Sequence, residues 1–216
     1  MTEGTKGWAD GRGGPEKEGS IMFVANVGLA LLLVGPGSTP ANRDADTAEI
    51  IGLLIDERLR AAGEEPNGSY LVVAAEEIVV CPSKGDGEEK DTMAHVIAGA
   101  ASMADAPGDL RRELLCQQEG GMLPTASFEN ARVVSESQIE ASFEGADWWQ
   151  GFYRTFPESR GFLQFTAPAF SSDGQSALIY VSHFCGGLCG TGWLVYLTRS
   201  DDGHWRIASK QMLWIS

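Results

Sequence analysis

Four β-rich runs in the last sixty residues, joined by short turns, set the tightest limit on how this chain folds. They are "GFLQFTAPAF" (161–170), "SALIYVSHF" (176–184), "WLVYLTR" (193–199) and "WRIASKQMLWIS" (205–216). Each is dense in β-branched and aromatic residues, which suit a pleated, half-buried surface. Asp173-Gly174 and Asp202-Gly203 separate two of the successive pairs. Asp-Gly between apolar runs is a strong hairpin signal, because both residue types tolerate positive φ. Strands joined in order by tight turns pair antiparallel, since a parallel return needs a long crossover. The spacing therefore predicts a four-stranded antiparallel β-meander, with Pro168 marking an edge or a bulge in its first strand.

The preceding residues read mostly as helix. Ile50, Ile51, Leu54, Ile55, Leu59 and Ala62 recur at helical spacing, and Gly63 supplies a stop. Asp46, with Glu49 three residues on, resembles a capping box. "SYLVVAAEEIVVC" (69–81) reads as one long strand or two short ones, "PSKGDGEEK" (82–90) as a polar turn, and 91–104 and 108–118 as helices. "ARVVS" (131–135) reads as a short strand. Ser135 and Gln138 suit the cap of a short helix, and Asp147 that of the next, "WWQGFYRTF" (148–156), which Pro157 ends. The expected class is α+β, with helices of the first half covering one face of the meander.

The chemistry is densest at "SHFCGGLCGTGW" (182–193). In a meander this segment is a turn, and Gly186, Gly187, Gly190 and Gly192 are expected to supply positive φ there. Cys185 and Cys189 flank the turn, where paired strands bring Cα atoms within disulfide range. A Cys185–Cys189 bridge is the first expectation, and Cys81–Cys116 follows by elimination among four cysteines. Three chemical readings compete with it. A zinc site would use Cys185, Cys189, His183 and His204, but its second ligand pair has no standard spacing. A redox pair would want C-x-x-C at a helix start, not C-x₃-C on a hairpin. A hydrolase would use His183 as base and Cys185 as nucleophile, yet two residues apart on one strand their side chains run parallel, a poor aim for proton transfer. No phosphate loop, paired-His zinc motif or nucleophile elbow is present, and no cofactor is expected.

Trp148, Trp149, Phe152, Tyr153 and Phe156 form an aromatic stripe. Aromatics at this spacing usually pack a helix onto a sheet, though a ligand groove beside Trp149 and Tyr153 is the functional alternative. Residues from about 131 to 216 resemble an uncharacterised family of small, often exported bacterial proteins. The resemblance rests on the order of "WWQGFYRTFPESRGFLQF", "SALIYVSHFCGGLCGTGWLVYL" and "GHWRIASKQMLWIS". Phe156 stands where the family usually has Tyr, and "FTAPAF" where a Ser-Arg-Val-Gly-Phe run is expected. The resemblance implies an α+β fold and a protein that is often exported; it implies no activity, and it carries over no catalytic residue.

The formal net charge of −14 falls entirely in the first 146 residues, because residues 147–216 balance five acids with five bases. That argues against a nucleic-acid partner, which needs clustered Lys and Arg. It leaves a basic protein as a possible partner, and a monomer is the expected state. "IMFVANVGLALLLV" (21–34) is an apolar run of signal-peptide length, shorter than the ~20 residues of a membrane span. Thr39 and Ala41 offer small residues for cleavage. Residues 1–41 thus read as a disordered leader plus export signal, and 42–216 as a single α+β domain in the periplasm or outside the cell, or anchored by an uncleaved segment. Four cysteines, an even count, suit an oxidising compartment.

Overall fold

Leu71 to Ala74 are apolar at every position, so this strand needs cover on both faces of the sheet that contains it. The computed structural model describes residues 40–61, 69–80, 90–116, 120–145 and 147–216, and it shows that cover. Helix α1 (Pro40–Ala61) lies on one face; α2 (Lys90–Ser102), α3 (Gly108–Leu115), α4 (Glu136–Ser142) and α5 (Trp148–Thr155) lie on the other. Between them runs a seven-stranded sheet: β1 (Tyr70–Ala74), β2 (Ala131–Val134), β3 (Ser159–Phe165), β4 (Ala169–Phe170), β5 (Ser176–Gly186), β6 (Cys189–Arg199) and β7 (Trp205–Ile215). The spatial order is β2-β1-β3-β5-β6-β7, with β4 paired to β5.

The α+β class holds, but the four-stranded meander describes only part of this sheet. β3, β5, β6 and β7 do run antiparallel in order. β1 and β2 extend the sheet in parallel beyond β3, which makes it mixed. The expected first strand is two: Phe162–Phe165 pairs with Val181–Phe184, and Ala169–Phe170 pairs with Ala177–Leu178. Pro168, which has no N–H to give a ladder, lies in the break. Helices also cover both faces, not one, because a central strand apolar on both sides cannot leave either to water.

Alternation sorts the core. Leu71, Val73, Leu163, Phe165, Ile179 and Val181 meet Ile50, Ile51, Leu54, Ile55 and Leu59 of α1. On the opposite face Val72, Ala74 and Phe162 meet Ile139, Phe152 and Phe156, while Leu178, Tyr180 and Leu194 meet Val96, Leu110 and Leu114. The aromatic stripe is therefore mainly packing: Phe152 and Phe156 are buried, and only Trp148 stands out, 65% exposed.

Two expected caps behave differently. Ser135 and Gln138 form a full capping box. Asp147 makes no side-chain cap; its carboxylate pairs with Arg154 at 3.2 Å. Helix α1 begins at Pro40, so Asp46 and Glu49 lie inside it. They bind the β6–β7 turn instead. Asp46 pairs with Arg199, and Glu49 accepts from Trp205 N at 3.0 Å and sits 3.1 Å from His204 Nδ1. The expected cleavage point after Ala41 falls in the first turn of α1. The export segment, the Gly63 stop and Cys81 lie outside the described residues. Among the described residues, no helix is long and apolar enough to cross a membrane.

Candidate functional site

Residues 182–193 close a tight hairpin, and Cys185 and Cys189 are joined across it by a disulfide with Cα atoms 5.0 Å apart. None of the four hairpin glycines has positive φ, since the described glycines that do are 145, 161, 174 and 203; Gly190 and Gly192 serve close approach instead. A Cβ on Gly192 would lie 2.0 Å from Trp214 Nε1, so the Trp214 ring occupies the side-chain space that Gly192 leaves. Cys116, expected to pair with Cys81, is an exposed free thiol.

The bridge removes the sulfur chemistry that the sequence left open. Cys185 has no thiolate to attack with, and neither cysteine is available to a metal. His204 is also far from His183. Thr191 lies opposite His183 and Arg199 opposite Trp205, so β6 separates the two histidines by roughly 27 Å at the usual strand rise. Among the described residues, no group of three His, Cys, Asp or Glu is placed to hold a metal.

A cavity of about 630 Å³ opens where β1 and β3 begin and β5 ends. Arg58 and Leu59 of α1, Ser69 and Leu71 at the start of β1, Ser159 and Arg160 of β3, and His183, Cys185 and Cys189 of the hairpin line it, with Tyr153 and Glu158 at its side. Its size and its mostly apolar wall with a few placed polar groups are those of a small-molecule site. Of the expected groove pair only Tyr153 lines it. Trp149 packs against Phe143 and Phe162, with ring centroids 5.1 and 6.0 Å away.

His183 is 6% exposed, and its ring is held at both nitrogens. Arg58 Nε donates to Nδ1 at 3.0 Å, and Nε2 lies 2.7 Å from the Arg160 carbonyl. A carbonyl only accepts, so Nε2 carries the hydrogen and the ring is the neutral Nε2–H tautomer. Burial, with the Arg58 charge adding to it, lowers the pKa to about 4. A base needs a free lone pair near its working pH; His183 has neither, which sets aside its pairing with Cys185 as nucleophile and base.

The Arg160 carbonyl reaches His183 because β3 bulges. Tyr70 pairs with Ser159 but Val72 with Phe162, so β3 carries one extra residue there. Gly161 makes the bulge possible: its φ is +93°, and a Cβ would lie 2.0 Å from the Phe184 carbonyl. On the same strand Arg160 Nε donates to Ser69 Oγ at 3.1 Å. Tyr153 donates to the Cys185 carbonyl at 2.8 Å, and burial pushes its phenol pKa up, so it stays a donor.

No family model, curated protein or solved structure matches this chain.

Arg58 is half-buried at the cavity wall, and burial lowers its pKa while Glu57 raises it. Arginine stays charged regardless. Its hydrogen bond goes to a neutral ring, and among the described residues no carboxylate pairs with it; neighbouring Glu57 pairs with Lys210 instead. Sequence reasoning missed Arg58, Arg160 and Ser69. The only signal for Arg58 was a cation beside the buried stripe of α1, and its contact with His183 is 125 residues away in sequence.

Proposed function

We propose that this chain is an exported, non-enzymatic binding domain that holds a small anionic ligand in the cavity at the end of its sheet. Arg58 carries the reading. A half-buried guanidinium without a carboxylate partner is costly unless something anionic completes it. Its other N–H groups, which take no partner among the described residues, lie beside Arg160 and Ser69 and match the flat, two-oxygen face of a carboxylate or the oxygens of a phosphate. The fixed neutral His183 positions Arg58 and does no proton transfer. The disulfide supports export. The resemblance to the exported bacterial family stands on its motif order, and a family member with a different sheet order would contradict it.

Calorimetric titration of the full chain with small carboxylates and inorganic phosphate tests the site. Saturable binding that Arg58→Met weakens about tenfold or more, ~1.4 kcal/mol, is expected. Binding unchanged by that substitution overturns the reading. Recovery from the periplasm or medium of a chain shortened near Ala41 is the matching test of export; full-length chain confined to the cytoplasm contradicts it.

A further inference from the structure

Behind Arg58 and His183 lies a second space. It is about 160 Å³ and is lined by Leu54, Leu163, Val181, Trp193 and Val195. Arg58 and His183 line both this space and the larger cavity, so they form the partition between the two. At its other side Lys210 pairs with Glu57 and lies 5.2 Å from the Trp193 ring centroid. Among the described residues, the inner space thus offers apolar walls and no unpaired charge except the guanidinium at its entrance.

We infer that the ligand is an amphipathic carboxylate, its carboxylate on Arg58 in the outer cavity and a compact apolar tail in the inner one. This rests on the anionic-ligand reading above and adds the tail. The volume decides the tail's size: an apolar cavity of roughly 150 Å³ holds one benzene ring. Each CH₂ moved out of water adds about 0.8 kcal/mol, so a tail of ring size should dominate affinity over the bare head group. A fatty acyl chain is too long for the space. Arg58 is a long, unbranched side chain, so a small swing of its guanidinium lets the tail pass while the head stays bound.

The test is calorimetry on the full chain with acetate, 3-phenylpropionate and 3-phenylpropanamide. The aryl acid should bind at least about tenfold more tightly than acetate, and the neutral amide should lose most of that affinity. Val195→Phe, which fills the inner space, should bring the aryl acid down to acetate's level and leave acetate unchanged. Leu54→Phe fills it from the helix side and serves if Val195→Phe does not fold. In the unaltered protein, intermolecular NOEs should connect the ligand ring to the Val181 and Val195 methyls. Equal affinity for the two acids, or no such NOEs, overturns the tail assignment and leaves the anion site standing. No binding of either acid, or binding indifferent to Arg58→Met, overturns both.

Discussion

Gly161 and His183 are two residues on which the site's geometry depends. Gly161→Ala puts a Cβ into the Phe184 carbonyl at a φ that side chains avoid. It should cost about 2–3 kcal/mol or more, read as a lower urea midpoint, and should weaken ligand binding through the displaced Arg160 carbonyl. A midpoint equal to wild type would mean that the bulge relaxes freely. His183 predicts a pH dependence. Its ring titrates near 4 when folded against 6.5 when unfolded. Between those values the unfolded chain binds more protons, so His183's contribution is complete above the upper value and is lost as pH falls toward the lower one. The gap is worth at most about 3 kcal/mol. Stability of wild type relative to His183→Gln should therefore shrink from about pH 7 to about pH 4; a constant difference contradicts it. His183 was visible in the sequence as a strand-end histidine, but its state was not. Its neutral tautomer comes from Arg58 and the Arg160 carbonyl, and strand alternation reveals neither.

The hairpin and helix α1 show what pattern can and cannot supply at the next level. The Cys185–Cys189 bridge was legible, because a turn between two paired strands fixes which side chains meet. Native alkylation should label Cys116 and spare Cys185 and Cys189 until reductant is added. Labelling of either hairpin cysteine without reductant would contradict the bridge. Its loop is short, so Cys185→Ser with Cys189→Ser should cost only about 2 kcal/mol. α1 was legible on its buried face and misread at its start. Asp46 and Glu49 have the spacing of a cap, yet both reach the β6–β7 turn, where Arg199 also holds the Gly174 and Gly203 carbonyls at 3.0 and 2.6 Å. Asp46→Asn leaves the largely covered Arg199 guanidinium without its counter-ion and should cost about 3 kcal/mol in urea unfolding. A loss below about 1 kcal/mol would place this pair among ordinary surface bridges.

The whole sheet was only half foreseen. Short turns dictate β5–β6–β7, but nothing local tells β1 to enter beside β3, since a parallel neighbour is chosen by crossovers and burial, not by a turn. The cavity went unseen for the same reason: it forms where β1, β3, β5 and α1 converge, and of these only α1 and β1 follow one another among the described elements. The sheet's long outer strand, β7, carries two bulges, at 208 and 213, and the exposed charge Arg206. Bulges and charge discourage edge pairing, so sedimentation should report a monomer, and a stable dimer would contradict that. The most direct measurement of the central claim is the ¹⁵N NMR signal of Arg58 Nε and of the His183 ring as 3-phenylpropionate is added. The account predicts a saturable shift at Arg58 while His183 keeps its neutral Nε2–H form. An unmoved Arg58 signal, or a His183 ring that takes a proton as ligand binds, would contradict it.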